Sequence, residues 1–495
     1  MHQLLLLPVL FPILCGMALL ILRPEGRRVR NVFLMTAVCL TSVLCAVCIL
    51  VTYRLGGDAT TCVMVHFSRW LSLSLKIDGV SMVYDAIVAV LWPLITLYAM
   101  EYMSHEGHES RFFGFWLISF GVVNGIAFSQ DFLSMYFFYE LLTLVTLPLV
   151  MHEMDDKAQY AGREYLIYSL SGAACAFIGI VFLMNECGTV DFTHGGLLNP
   201  AAVAGREHTL QVAFLCAFFG FGVKAAIVPF HRWLPDASVA PTPVSALLHA
   251  VAVVKAGAFA VLRLIYFGFG ADFLRGTSAQ TIAMAAAIVT IVYGSARALR
   301  TPHLKRRLAF STVSNLSYIL FSLTLMTPAG LTGALTHMLY HAFVKIALFA
   351  CAGAIIQRSG RQYVYQLEGM GRRLPLVFFV FSVASAALIG VPPLGCFASK
   401  WMIAEAAVEL GRPLAFGGIA ALILSTLLTT LYLMTVIVRA YFPVGQIDTD
   451  ALEAVHEPGR AMQVSLLALT VLGVASALWS DPIIRFLQMV AAGQL

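Results

Sequence analysis

Five charged side chains stand in the middle of apolar runs. Glu140 closes Met-Tyr-Phe-Phe-Tyr-Glu, and Lys224 lies in Phe-Gly-Val-Lys-Ala-Ala-Ile-Val. Lys255 sits in Ala-Val-Val-Lys-Ala-Gly-Ala-Phe, Lys345 in His-Ala-Phe-Val-Lys-Ile-Ala-Leu and Lys400 in Phe-Ala-Ser-Lys-Trp-Met-Ile. Carrying a Lys or Glu to bilayer depth costs roughly 2.5 to 3.5 kcal/mol, so each calls for a partner, a water path or a function. His337, His341 and Lys345 follow one another at intervals of four, which stacks three titratable groups on one helical face. Such a ladder suits a proton relay better than simple packing. His249 is open to either reading, because a lone core histidine can bond a neighbouring carbonyl. Lysine fits a relay physically: desolvation disfavours the ammonium, and an approaching carboxylate restores it. A Glu140–Lys224 pair that forms and breaks would therefore switch proton affinity, with a static ion pair as the competing reading.

The elements that position these groups are membrane helices. Of 495 residues 60% are hydrophobic and 12% charged, about half the charged fraction usual in soluble proteins, an excess no water-soluble core absorbs. One crossing takes roughly 20 mostly apolar residues, and the sequence offers fourteen such stretches. Residues 112–151 divide into two of them, 112–129 and 131–151. Span seven covers 210–230, span eight 240–268, span eleven 330–356 and span twelve 374–409. The connections Arg54 to Lys76, Asn185 to Thr209 and Phe442 to Arg460 are loop-sized, leaving no room for a soluble catalytic domain. None holds a phosphate-cradling glycine loop or a zinc motif. The first span carries no basic leader and reads as a retained helix rather than a signal peptide.

Basic residues are unevenly placed. Loops after odd-numbered spans hold nineteen, among them Arg111, Arg232, Arg306, Arg361 and Arg439, and the opposite loops hold seven: Arg54, Arg69, Lys76, Arg206, Arg275, Arg412 and Arg485. The positive-inside rule then puts the odd loops in the cytoplasm and both termini outside, in the inner (cytoplasmic) membrane. The net charge of +5 forms no basic stripe beyond these loops, which excludes nucleic acid as a partner. Cys45 and Cys48 form a C-x-x-C in span two with no second pair, so they read as core packing and the chain is expected to hold no metal and no redox cofactor.

Two spans are interrupted. Pro229 follows Lys224, and Gly390, Pro392, Pro393 and Gly395 precede Lys400. Proline frees carbonyls that hydrocarbon cannot satisfy, so such breaks persist against protein or a watery cavity. Broken helices in corresponding positions of two halves point to an ion site between internal repeats. The expected organisation is 1–110 (helices one to three), 111–270 and 271–440 (two five-helix repeats, inverted because five is odd) and 441–495 (a loop and helix fourteen).

Beyond these local signals, VKAAIVPFHRWLPDASVAPTPVSALLHAVAVVKAG (223–257), LKRRLAFSTVSNLSYI (304–319), THMLYHAFVKIALF (336–349), GVPPLGCFASK (390–400) and YFFYELLTLVTLPLV (136–150) resemble a known family. It comprises the antiporter-like membrane subunits shared by respiratory complex I, membrane-bound energy-converting hydrogenases and Mrp-type cation/proton antiporters, and the resemblance covers roughly residues 80 to 440. It implies an all-α fold of about fourteen helices with two inverted five-helix repeats, helices seven and twelve broken. Glu140 and Lys224 would be the acid and base of a first half-channel, Lys255 and His249 its continuation, His337, His341 and Lys345 a central axis, and Lys400 the exit-side lysine. Asp236 and Arg232 match a loop motif with a structural role. His303 stands where the family usually has an acid, so no role passes to it, and the long C-terminal lateral helix of the most distal complex I subunit is expected to have no counterpart.

The implied function is proton translocation within a complex I-related, redox-driven pump. Iron-sulfur clusters or a NiFe centre would belong to partner subunits, and the partners would be lipid, other membrane subunits including sister antiporter-like ones, H⁺ and, in the antiporter form, Na⁺. The alternatives are a subunit of an Mrp-type Na⁺/H⁺ antiporter and a membrane scaffold that conducts nothing. A scaffold has no reason to tolerate the insertion cost of Glu140, Lys224, Lys255 and Lys400.

Overall fold

The computed structural model describes residues 2–56, 61–68, 71–199, 203–443 and 452–495. Arg69, one of the seven basic residues of the even loops, lies outside them.

Helices α1 (Leu6–Leu22) and α2 (Arg27–Leu55) lead into a hairpin of β1 (Cys62–Ser68) and β2 (Leu71–Leu75). Then come α3 (Gly79–Tyr102), α4 (Glu109–Phe128), α5 (Phe132–Val150), α6 (Asp156–Cys187) and α7 (Glu207–Lys224). After the short α8 (Trp233–Asp236) come α9 (Thr242–Ala250), α10 (Val253–Arg263) and the short α11 (Ala271–Leu274). The second half holds α12 (Ser278–Arg300), α13 (Leu304–Thr324), α14 (Pro328–Ser359), α15 (Pro375–Ile389), α16 (Gly395–Leu410) and α17 (Pro413–Tyr441). α18 (Arg460–Leu478) and α19 (Ser480–Ala491) close the chain.

Among the described residues eleven helical segments are long and apolar enough to cross a membrane, α9, α10 and the π-turn after them counting as one. The chain is a multi-pass, helical membrane protein. Three other expected spans fall on α7, on α13 and on the interrupted pair α15 and α16. α13 misses the apolar pattern because it carries Lys305, Arg306, Arg307 and a run of Ser, Thr and Asn, polarity it can hold because its neighbours bury it almost completely.

Side-chain caps start the helices where the sequence turns. The Asp131 carboxylate accepts from the Ser134 amide at 2.7 Å, which divides 112–151 into α4 and α5. Asp78 caps α3 through Ser81 (2.9 Å) and Asp155 caps α6 through Ala158 (2.7 Å). The hairpin was not legible as strands: its alternation of Val, His, Phe and Ser is short and falls within a polar connection.

The loops sort onto two faces. On one, Arg111 donates to the His152 carbonyl (2.6 Å), Arg306 pairs with Asp236 (2.6 Å), Leu304 N donates to Gln362 O and Gly369 N to Arg439 O. All of these follow odd-numbered spans. On the other, Lys76 N donates to Phe128 O, Phe132 N to Val190 O, Thr193 N to Phe267 O, and Gly79 N to the carbonyl of the last residue, Leu495. The alternation expected from the charge pattern is thus present in the hydrogen bonding.

Candidate functional site

Two of the lysines, Lys224 fully buried and Lys400 half-buried, stand at the helix breaks. α7 stops at Lys224, whose ammonium donates to the carbonyl of Tyr139 and lies 3.4 Å from the centre of the Tyr139 ring. Glu140 Oε1 is 4.0 Å away, the outer limit of an ion pair, and has no hydrogen-bond partner. Glu140 sits in the middle of α5 with 22% of its side chain exposed, whereas Lys224 is fully enclosed. Lys400, early in α16, reaches back across the second break. Its ammonium donates to Leu388 O (2.9 Å), Ile389 O (3.0 Å) and Thr426 Oγ1 (3.2 Å). α15 ends there because Gly390 takes φ +88°, open to glycine at no steric cost. At Lys400 the amine lies where α15 exposes its last carbonyls and its negative dipole end, which lowers the cost of holding a cation, whereas the Lys224 amine, at the end of α7, reaches the middle of α5.

Span eight departs from the continuous helix expected over 240–268. It breaks between α9 and α10, separating His249 from Lys255. The Tyr84 hydroxyl, from α3, lies 3.4 and 3.2 Å from the Val251 and Ala252 carbonyls at the interruption. α10 can cross α7 closely because residue 257 is glycine: a Cβ there would come within 2.5 Å of Ala225 N and 2.8 Å of the Lys224 carbonyl carbon. No hydrogen bond joins Lys224 to Lys255 among the described residues; the two are neighbours through backbone.

Lys255 Nζ lies 2.8 Å from His341 Nδ1. The imidazoles of His341 and His337 stack at 5.7 Å, and His337 Nδ1 is 2.9 Å from Ser399 Oγ, the residue before Lys400. Lys255, His341, His337 and the start of α16 thus form one connected polar line. Lys345 shares the helix but turns away from that line. Its amine donates to Leu308 O (3.0 Å) and Ser311 Oγ (2.7 Å) of α13. His249 stands apart, stacked 4.6 Å from Phe349 with both ring nitrogens unpartnered.

The structure adds a row of hydroxyls from α13 and α17 that sequence reasoning missed. Ser311 Oγ is 2.6 Å from the Tyr432 hydroxyl, which donates to Thr429 Oγ1 at 3.2 Å. The Tyr318 hydroxyl donates to Ser425 Oγ at 2.6 Å, and Ser425 also bonds Ser295. Lys400 Nζ lies 5.5 Å from the Tyr318 ring centre. The row begins at Lys345 and reaches the neighbourhood of Lys400. The signal for it was present in the Ser and Thr density of α13, which looks like a loop flank until its burial is known.

Three further buried charges were missed. Lys305, counted as a loop residue, is buried and donates to Ala240 O at 2.8 Å. Arg263 pairs with Asp78 and sits over Phe192, Phe259 and Phe267. Burial alone would push the Asp78 carboxyl up, but the Arg263 guanidinium and the Ser81 donors more than reverse this and hold it below its ordinary range. Asp85 is fully buried in α3. Among the described residues no group of three or more His, Cys, Asp or Glu side chains is arranged to hold a metal ion.

The family described as NADH:quinone oxidoreductase/Mrp antiporter, TM, matches residues 129–435, more than half of the chain. This chain belongs to that family. A second family, described as NADH-ubiquinone oxidoreductase (complex I), chain 5 N-terminus, matches residues 66–113. A probable K⁺/H⁺ antiporter subunit of Rhizobium meliloti (strain 1021) is 30% identical over 89% of this chain and 44% of its own. The NADH-quinone oxidoreductase subunit N of Desulforudis audaxviator (strain MP104C) is 30% identical over 73% of each. The chain spans about half the length of several antiporter relatives. In fold it matches a chain of the membrane-bound sulfane sulfur reductase, an archaeal respiratory membrane complex, with a TM-score of 0.86 at 22% identity over 99% of this chain and 97% of that one.

Proposed function

We propose that this chain conducts protons across the cytoplasmic membrane as the antiporter-like subunit of a complex I-related, redox-driven pump. One observation carries the reading. Lys224, Lys255 and Lys345 are fully buried and Lys400 partly so, and Glu140 is the one carboxylate within pairing distance of any of them among the described residues. Four ammonium groups against one carboxylate in a low-dielectric interior repel strongly. They are not all charged together, so a proton gained at one amine is displaced from another.

In this scheme the Glu140–Lys224 pair takes up a proton when it closes. Charge then passes to Lys255, which shares a proton with His341 across their 2.8 Å contact. From there it moves through His337 and Ser399 to Lys400, while Lys345, Ser311 and Tyr432 form a parallel branch toward α17. His249 is the member with the weakest support. Its unpartnered nitrogens, with those of His337 Nε2 and His341 Nε2, are polar atoms whose burial a hydrated path would offset. Residues 111–270 and 271–440 act as the two inverted repeats, a reading supported by the lysine at a helix C-terminus in each. The basic loops face the cytoplasm and both termini lie outside. Partner membrane subunits, sister antiporter-like subunits among them, carry the driving chemistry, with iron-sulfur or NiFe centres held there.

The Mrp-type reading, in which the chain serves a multisubunit Na⁺/H⁺ antiporter, is supported by the 29% identity, over 83% of this chain, to the Na⁺/H⁺ antiporter subunit A1 of Staphylococcus haemolyticus (strain JCSC1435). Metal analysis of the copurified assembly separates the two. Iron or nickel favours the redox machine; a metal-free assembly with Na⁺-dependent flux favours the antiporter. For the pathway itself, Lys224→Ala in the reconstituted complex is expected to abolish linked proton flux while the complex still assembles. Undiminished flux removes Lys224 from the path.

A further inference from the structure

Asp85 lies well away in sequence from the lysines, histidines and glutamate of the proposed path, and its surroundings are unusual. It is fully buried in α3, and among the described residues its carboxylate has no cation within ion-pair distance and no donor turned to it except the weakly donating Cys45 thiol. Its titratable neighbours are the thiols of Cys45 and Cys48 on α2 and the adjacent Tyr84, whose hydroxyl is committed to the carbonyls of Val251 and Ala252. From α4, Asn124 gives its amide hydrogens to Pro8 O at 2.9 Å and to Cys45 Sγ at 3.4 Å, not to Asp85. That orientation is dictated by α1. Pro12 has no N–H to offer the Pro8 carbonyl one turn before it, so this carbonyl needs an outside donor and Asn124 supplies it. The Asn124 Oδ1 is left unpartnered. Where α1, α2, α3 and α4 meet, the Asp85 carboxylate and Asn124 therefore share Cys45 as a neighbour, and the donors on hand for their acceptor oxygens are only weak thiols.

We infer that Asp85 is a proton-binding site in its own right, loaded in the folded N-terminal bundle and separate from the lysine and histidine axis. A carboxylate enclosed in this way takes a proton rather than remain charged. The proton turns one of three competing acceptors into a donor aimed at Cys45 Sγ or Asn124 Oδ1. A small metal cation fits less well, because two thiols occupy positions where a hard ion needs oxygen. The inference does not depend on the transport reading.

Infrared spectra of the full chain in its complex test it. At neutral pH the wild type is expected to show the C=O stretch of a protonated carboxyl, shifted in D₂O and missing in Asp85→Asn, which keeps size and shape. Thermal stability gives a second reading. A proton held in the folded state and released on unfolding makes stability fall as pH rises above the ordinary Asp range, so Asp85→Asn is expected to flatten that slope. Asp85→Ser serves if the amide variant does not assemble. Superimposable carboxyl bands and equal pH slopes overturn the inference. So does loss of an ionised-carboxylate band in the variant, or a wild-type band that appears only when Na⁺ is withdrawn.

Discussion

At the residue scale, the proposed path sets amines that cannot all be charged beside hydroxyls and imidazoles able to take and give a proton. Tyr432 is the clearest case, since it joins Ser311, and through it Lys345, to α17. Tyr432→Phe deletes the hydroxyl and keeps the ring, so it is expected to cost about 1 kcal/mol of stability. Proton flux in proteoliposomes is expected to fall about tenfold, as for loss of one acid–base partner at the low end of its usual range. Full flux in that variant would leave the His341, His337 and Ser399 line as the working route. The lysines and histidines were readable in the sequence because a charge inside an apolar run contradicts its surroundings. Ser311, Tyr318, Ser425 and Tyr432 were not, because a hydroxyl in a membrane helix is ordinary and becomes informative only when its partner on another helix is known. Asp85 broke an apolar run as plainly as Lys224 does, yet α3 looked like an ordinary span and the residue passed unnoticed.

At the element scale, the structure turns on where helices stop. Breaks in spans seven and twelve followed from proline and glycine, whose effect on the backbone is local. The break in span eight has no proline inside it. Ala252 N bonds Leu247 O beside Val251 N, and the carbonyls at the interruption are met by Tyr84 from α3. A tertiary contact makes that break, which is why a window of sequence reads it as one helix. Gly257 shows the same dependence on a neighbour. Gly257→Val would press two methyls into the backbone of Lys224 and Ala225, and overpacking of this kind costs typically 1–3 kcal/mol. The expected result is a lower melting temperature together with weakened flux, since the strain falls on the residue that carries the first amine. Gly257→Ala, with one carbon, is expected to lie between the two; a Val variant as stable and active as the parent would mean that α7 and α10 separate freely.

For the whole molecule, the loop hydrogen bonds place the last residue, Leu495, on the same face as Lys76 and Gln130. Leu4, near the other end, lies against Cys48 toward the hairpin end of α2. Tags on the two termini are therefore expected to be cut by a protease from the same side of sealed vesicles, and in intact cells from outside. Cleavage of one tag from each side would contradict an even number of crossings. The sorting of loops onto two faces was legible from charge placement, because each basic loop is an independent vote, and the tags decide which face is cytoplasmic. The hairpin and the α18–α19 turn were not, since neither departs from its flanks in composition.

The contacts that join Lys255 to His341, His337 to Ser399 and Lys345 to Ser311 run from one helix to the next, and only the single turn from His341 to His337 follows a helix axis. A charge passing by that route travels mostly sideways in the bilayer and crosses only a small part of the transmembrane voltage. The work against that voltage, about 2.3 kcal/mol per charge at 100 mV, falls on uptake near Glu140 and release near Lys400. Those two steps, and not the lateral ones between them, are where an applied voltage should change the rate.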